Sequence, residues 1–185
     1  TEEAFNLLEN LLRWTRNQNG KTKIYATLFN LTPVARQVVS LFSAIANAKE
    51  IELINRIEGK FDIFADEDMI KTVLRNLISN AIKFTYTGGQ VELSLADSGD
   101  YWTIYVKDNG KGIPKDLQAH LLKSDEYITT YGTHNEKGSG LGLILCRDFI
   151  RMNKGKLHFC SQEGIGTTFY FTIPKASSSA EAVSR

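Results

Sequence analysis

Apolar residues recur at helical spacing in four segments of this chain: residues 1–19, a segment that opens at Thr32-Pro33, residues 66–84 and residues 139–152. We expect Thr32 to cap the second helix, with Pro33 at its first helical position, and Asp66 to cap the third. The first helix stands apart from the others. We expect it to pack on another helix, which a second chain could supply, with docking on its own domain as the alternative.

Alternating apolar and polar residues predict strands at residues 50–57, 90–96 and 102–107. Ser98-Gly99-Asp100 is a hairpin signal between two of them. Further strands are expected at residues 61–65, 156–161 and 167–174, and a short extended segment at residues 23–29. A short helix is expected after Pro114, and residues 123–138 are polar without a clear period, as in functional or disordered loops. The order of elements predicts an α+β fold: a two-layer sandwich in which a mixed sheet of about five strands is covered on one face by about three helices, preceded by one N-terminal helix.

The composition excludes several classes of function and says little about the fold. The chain has 185 residues and a formal net charge of +1, so we expect no nucleic-acid partner. No apolar run is long enough to span a bilayer. Cys146 and Cys160 are expected to be buried, reduced thiols, and the three histidines lack the spacing of a zinc site.

Helix 66–84 carries three polar residues on one face. Asn76, Asn80 and Lys83 lie at positions i, i+4 and i+7, so they share a face that borders the apolar stripe. An asparagine oxygen is a suitable hard ligand for Mg²⁺, which keeps several waters and takes few protein groups. Lys83 would then reach a phosphate as a point charge. Solvated helix positions are the alternative, and the glycine segments downstream favour the first interpretation.

Two glycine-rich segments follow this helix. In the first, Asp108 ends a strand before Asn109-Gly110, where it is either a turn carboxylate or an acceptor for the exocyclic amine of adenine. In the second, residues 138–143 precede a helix, whose unpaired backbone amides suit phosphates. This segment is not a Rossmann loop, because it follows a long polar loop, and no Lys-Ser or Lys-Thr pair makes it a Walker loop. Together the segments predict an ATP pocket.

These motifs resemble those of sensor histidine kinases, within the Bergerat-fold ATPase and kinase superfamily that also includes gyrase, Hsp90 and MutL. Residues 74–85 resemble the N box, residues 108–113 the G1 box and residues 138–143 the G2 box. Residues 1–19 resemble the end of the second helix of the dimerisation and phosphoacceptor hairpin. The resemblance implies three regions: the end of that hairpin (1–22), the catalytic and ATP-binding domain (23–175) and a disordered tail (176–185).

The resemblance also implies a role for each matching residue. Asn76, Asn80 and Lys83 would be catalytic, with Asn80 the Mg²⁺ ligand and Lys83 on a phosphate. Asp108 would read adenine, and residues 115–137 would form the ATP lid. The implied ATP-binding set joins the N box, both glycine loops, a lid lysine and a strand threonine: Asn76, Asn80, Lys83, Phe84, Asp108, Gly110, Gly112, Ile113, Lys137, Gly138, Ser139, Gly140, Leu141, Gly142, Leu143 and Thr168.

One position favours a kinase over a hydrolase. Hydrolytic branches of the superfamily carry Glu where this chain has Asn76, and an amide cannot take a proton at neutral pH. The implied function is transfer of the γ-phosphoryl of Mg-ATP to a histidine of the hairpin, for relay to an aspartate of a response regulator. The alternatives are a degenerate ATP-binding signalling module without phosphotransfer and a serine-directed kinase of the same superfamily.

The resemblance is incomplete in places. None of the three histidines has the context of a phosphoacceptor, so we expect a fragment that binds ATP without phosphorylating itself. Leu121-Leu122 stands where the family has a phenylalanine-rich F box, and the lid lacks an arginine. The implied partners are the chain's own phosphoacceptor hairpin and a response regulator receiver domain, with homodimerisation through the hairpin in the parent. We expect a cytoplasmic chain, and leave open whether the parent is anchored in the inner membrane.

Overall fold

The computed structural model describes residues 23–121, 132–134 and 141–176. The predicted N-terminal helix and most of the lid and tail lie outside these residues. The described helices are α1 (Leu31–Ala48), α2 (Glu67–Phe84), α3 (Lys115–Gln118) and α4 (Gly142–Met152). The strands are β1 (Thr27–Asn30), β2 (Glu52–Asn55), β3 (Asp62–Ala65), β4 (Gln90–Ser98), β5 (Tyr101–Asp108), β6 (Leu157–Gln162) and β7 (Gly166–Pro174).

Five of the strands form one mixed sheet in the order β2-β4-β5-β7-β6. β2 and β4 run parallel, and the other neighbours are antiparallel. β1 and β3 form a separate two-stranded antiparallel ribbon. The register of β5 places Asp108 opposite Val91 on one side and Thr167 on the other. The predicted α+β sandwich with a mixed five-stranded sheet is therefore confirmed.

The core lies between one face of this sheet and the three long helices. Strand β7 alternates between buried and partly exposed residues, as a sheet with one covered face requires. Its buried side includes Phe171, and α2 contributes the fully buried Ile70, Leu74 and Ile78. On the opposite face the rings of Tyr105, Tyr170 and His158 stack on one another. Helix α2 packs on both α1 and α4, so it occupies the centre of the helical layer.

The sequence predicted the capping residue of α2 correctly and that of α1 wrongly. Asp66 caps α2 as expected, since its Oδ1 accepts from the backbone N–H of Met69 at 3.1 Å. The expectation that Thr32 caps α1 was wrong. Asn30 is the capping residue and accepts from the N–H of Thr32 at 3.2 Å, while the Thr32 hydroxyl donates to the carbonyl of Gly59 at 2.7 Å. Thr32 thus binds a neighbouring loop rather than its own helix.

A buried asparagine ties the start of α2 to the end of α4. Asn153 is 3% exposed, its Oδ1 accepts from the N–H of Asp66 at 2.7 Å, and its Nδ2 donates to the carbonyl of Phe149 at 2.8 Å. Both polar atoms of the amide are therefore satisfied away from water. This contact sets the relative position of the two helices that carry the asparagine motif and the second glycine motif.

Both cysteines are free thiols, as expected, but they differ in exposure. Cys146 is buried, and this burial raises the pKa of its thiol. Cys160 is exposed, so the expectation that both are buried was wrong for this residue. Its place on β6 puts its side chain on the uncovered face of the sheet, because neighbouring strand residues alternate between faces. Among the helices in the described ranges, none is long and apolar enough to cross a membrane.

Candidate nucleotide site

The predicted asparagine face of α2 is present and partly exposed. Asn76, Asn80 and Lys83 are each of intermediate exposure, next to the buried residues of the same helix. The amide nitrogen of Asn76 donates to the carbonyl of Thr72 at 2.9 Å, within the helix. Its Oδ1 faces α4, where a Cβ added to Gly142 would lie only 2.7 Å away. A glycine at position 142 is thus what allows α4 to begin against Asn76.

The side chain of Asn80 has no hydrogen-bond partner recorded among the described residues. It lies one turn beyond Asn76 on the same face, and its oxygen is not committed to the helix backbone. One turn further along, the Lys83 ammonium lies 5.2 Å from the centre of the Phe84 ring, and the Lys111 ammonium lies 5.0 Å from it. The end of α2 therefore presents one aromatic ring with two cations over it.

Asp108 ends β5 at the covered face of the sheet and is 7% exposed. Its Oδ1 accepts two backbone N–H groups, from Gly110 at 2.9 Å and from Thr167 at 3.2 Å. Within the part of the chain that the structure describes, no hydrogen bond is recorded to its Oδ2. Desolvation raises the pKa of Asp108 to about 6, although the two N–H donors act in the opposite direction. At neutral pH the site holds an ionised carboxylate with one oxygen fixed and one available.

The first glycine loop is packed directly on the end of α2. Gly110 is buried, and a Cβ at this position would collide with the backbone of Phe84. The N–H of Lys111 donates to the Phe84 carbonyl at 3.0 Å, and Gly112 adopts a positive φ of 67°. Beyond it, the N–H of Ile113 donates to the hydroxyl of Ser161 at 2.9 Å. These contacts bring the Asp108 loop and the asparagine helix together.

Of the second glycine segment, the structure describes Leu141, Gly142 and Leu143. Leu141 precedes the first residue of α4, and none of the described side chains caps this helix. Leu143 is partly buried and packs on the hydrophobic core. The predicted site residues Lys137, Gly138, Ser139 and Gly140 lie outside the described ranges.

The sequence predicted Thr168 as a site residue, but in the structure it is Thr167 that contacts Asp108. Thr167 is buried, pairs with Asp108 in the sheet and donates its backbone N–H to that carboxylate. Its hydroxyl lies 2.9 Å from that of Ser161. Thr168 is one residue out of phase, so its side chain points to the uncovered face. The alternation of β7 was the signal that could have identified Thr167, and Ser161 had no signal of its own.

The three motif segments therefore converge at one edge of the helical layer, as a nucleotide-binding site requires. Residues 65–177 match the family described as histidine kinase-, DNA gyrase B-, and HSP90-like ATPase. This match covers more than half of the chain, so the chain belongs to this family, as predicted from its motifs.

The chain is also similar in sequence to sensory kinases of known name. The adaptive-response sensory kinase SasA of Crocosphaera subtropica is 30% identical over 170 residues, which are 91% of this chain and 44% of that protein. The chain thus spans less than half the length of this curated relative.

The solved structures similar to this chain include histidine kinases. Full-length ShkA in complex with AMPPNP has a TM-score of 0.79 and 27% identity, and the similarity covers 94% of this chain and 36% of that one. Histidine kinase ThkA in complex with the response regulator protein TrrA has a TM-score of 0.72 and 26% identity, and the similarity covers 96% of this chain and 50% of that one.

We expect Asp108→Asn to stabilise the folded chain at neutral pH. The pKa of Asp108 rises from 3.8 to about 6 on burial, so the folded state favours the protonated form. The contribution of Asp108 to the free energy of unfolding is therefore highest below pH 3.8, where this residue is protonated in both the folded and the unfolded chain. It falls as the pH rises from there through about 6. At pH 7.5 the ionised carboxylate should lower the free energy of unfolding by about 3 kcal/mol. Asparagine keeps an Oδ1 for the two backbone donors and carries no charge.

Urea denaturation at pH 4.5 and 7.5 measures this effect. The difference in unfolding free energy between variant and wild type should widen by about 2 kcal/mol from the lower pH to the higher. Asp116→Asn is the matched control, because Asp116 is exposed, and its difference should not change. A difference for Asp108→Asn that is the same at both pH values would contradict the expectation.

Proposed function

We propose that this chain is the ATP-binding catalytic domain of a sensor histidine kinase, which transfers the γ-phosphoryl of Mg-ATP to a histidine on a phosphoacceptor hairpin. The observation that carries the proposal is the convergence of its three motifs: Gly142 packs on Asn76, Gly110 packs on Phe84, and Asp108 lies at the base of the same loop. Family membership and the likeness to ShkA, whose structure holds AMPPNP, support it.

Asp108 is the residue that we propose reads the base. Its fixed Oδ1 orients the carboxylate, and its Oδ2 is left to accept a hydrogen bond from the exocyclic amine of adenine. Guanine presents a carbonyl at that position and would leave the buried carboxylate facing an acceptor. A site of this kind rejects the wrong base because its buried polar group would be unpaired.

Asn80 is the residue that we propose holds Mg²⁺. Its amide oxygen is a hard ligand, and the described residues contain no group of three or more acidic, histidine or cysteine side chains that could bind a metal without help. One protein oxygen, completed by phosphate oxygens and waters, fits the way Mg²⁺ is bound in nucleotide sites. When bound, Mg²⁺ neutralises charge on the phosphates. Lys83 adds a second positive charge on the same face of α2.

The proposed reaction is phosphoryl transfer rather than hydrolysis. Asn76 stands where a base would have to activate water, and its amide nitrogen already donates to the carbonyl of Thr72. An amide oxygen does not accept a proton at neutral pH. Phosphoryl transfer depends chiefly on positioning and charge neutralisation, so an imidazole delivered in line with the γ-phosphate is enough.

The proposed partners follow from the same function. The donor domain needs a phosphoacceptor hairpin, through which the parent would form a homodimer, and a receiver domain that takes the phosphoryl group onto an aspartate. The structure of ThkA with the response regulator protein TrrA supports a partner of the second kind. Mg-ATP, the hairpin and the receiver domain are thus the three ligands of the proposed cycle.

The direct test supplies Mg-ATP labelled in its γ-phosphate and a phosphoacceptor hairpin, either joined to the chain or added in trans. We expect acid-labile, alkali-stable phosphate on the hairpin histidine and slow release of inorganic phosphate. Nucleotide binding without any transfer would instead support the degenerate signalling module, and phosphate stable to acid would support a serine-directed kinase.

We expect Asn80→Ala to weaken binding of Mg-ATP by at least about ten-fold, because loss of the only amide ligand proposed for the ion removes a charge-assisted contact. Calorimetric titration with and without Mg²⁺ measures this. The variant should lose the difference between the two titrations that the wild type shows. Ser79→Ala is the matched control, because Ser79 is the exposed neighbour on the same helix. Unchanged affinity in Asn80→Ala would remove this residue from the site.

We expect Asp108→Asn to lose preference for ATP over GTP. The amide keeps the two backbone hydrogen bonds but faces its own N–H₂ toward the adenine amine, so donor meets donor. Loss of one buried hydrogen bond and the added repulsion should weaken ATP binding by roughly 100-fold. Competition between ATP and GTP, measured against a fluorescent adenine nucleotide, reports the ratio. A variant that still discriminates as the wild type does would defeat the assignment of Asp108.

A further inference from the structure

The last backbone carbonyls of α2 are bound by three other segments of the chain. An α-helix leaves its final carbonyls without partners in the helix, and the last turn frays unless something holds them. The last turn of α2 carries Lys83 and Phe84. The way these carbonyls are held therefore sets how firmly the proposed phosphate lysine is placed.

Lys49 holds the turn from the side of α1. It is 7% exposed, and its ammonium donates to the carbonyl of Ile82 at 3.0 Å and to that of Lys83 at 2.9 Å. A cation at the carboxyl end of a helix is favourable because the helix dipole is negative there. The first glycine loop adds the bond from the N–H of Lys111 to the Phe84 carbonyl.

Thr133 holds the same turn from the segment between α3 and α4. Its N–H donates to the Lys83 carbonyl at 3.1 Å, and this carbonyl then has both lone pairs used, by Thr133 and by Lys49. Its hydroxyl lies 2.8 Å from the carbonyl of Thr85 and 3.2 Å from that of Lys83. Because a hydroxyl has one proton, the shorter contact is the bond, and the Thr85 carbonyl depends on it.

We propose that Thr133 is a positioning residue for phosphate recognition. By binding the carbonyls of Lys83 and Thr85, it fixes the last turn of α2 and so aims the Lys83 ammonium at the terminal phosphate of the nucleotide. The inference rests on the proposed function, since that function is what gives Lys83 its phosphate. It adds a determinant outside the three motifs, placed in the polar segment where the sequence shows no periodic pattern.

The test compares ligands that differ only in their phosphates. Calorimetric titration of Thr133→Val with Mg-ATP, Mg-ADP and adenosine should show ATP bound about five-fold more weakly than by the wild type, with ADP and adenosine changed by less than about two-fold. Both Thr133→Val and Thr133→Ser keep the backbone N–H that binds the Lys83 carbonyl. Thr133→Ser also keeps the hydroxyl that binds the Thr85 carbonyl and should restore the wild-type ratio.

Thr172→Val is the matched control, because it also removes one hydroxyl bonded to the backbone, here to the N–H of Lys156 at 3.0 Å. Thr172 lies five residues along β7 from Thr167, roughly 17 Å from the site at the rise of a strand. It should lower the thermal midpoint by a similar amount to Thr133→Val without changing any ratio of affinities.

The outcomes separate the two hypotheses. Equal weakening of ATP, ADP and adenosine in Thr133→Val would show a merely structural role, and no change in any of the three would show no role; both overturn the inference and leave the proposed function standing. A wild-type chain that binds none of the nucleotides would overturn the proposed function and the inference together.

Discussion

The packing of α2 is the constraint on which the rest of the structure depends. One face of this helix is fully buried, with Ile70, Leu74 and Ile78 against the sheet and its neighbouring helices. Burial of this face fixes the rotation of the helix, so the partly exposed face with Asn76 and Asn80 can point in one direction only. The packing of apolar side chains therefore sets the positions of Asn76 and Asn80, although these two side chains contribute little to the packing.

The site is assembled from segments that lie far apart in the chain, and close backbone approach is what joins them. Gly110 lies against the end of α2, and Gly142 allows α4 to start against Asn76. Side chains at these positions would force the segments apart. The buried amide of Asn153 serves the same purpose at the other end, where it bonds the first residue before α2 to the last turn of α4. Small residues and satisfied polar atoms thus set the geometry together.

Asp108 shows that the site is not optimised for stability. A carboxylate that is almost fully buried, and whose pKa rises to about 6, opposes folding at neutral pH. The two backbone donors reduce this cost without removing it. An unfavourable charge that the fold could replace with a neutral amide is typical of a residue retained for binding. The same reasoning does not extend to Asp66, whose carboxylate caps α2 and stabilises it.

The sequence by itself determined the α+β class and the family, and it singled out Asn76, Asn80, Lys83 and Asp108 as candidate site residues, because periodicity and motif spacing are local properties. Tertiary structure alone decided that Asn30 rather than Thr32 caps α1, that Thr167 faces the site while Thr168 does not, and that Cys160 is exposed. It also decided that Lys49 and Thr133 meet at the end of α2. The bonds of Thr167 to Asp108 and of Lys49 and Thr133 to the end of α2 join residues dozens of positions apart, and no pattern within a single helix or strand predicts which distant group a residue will reach.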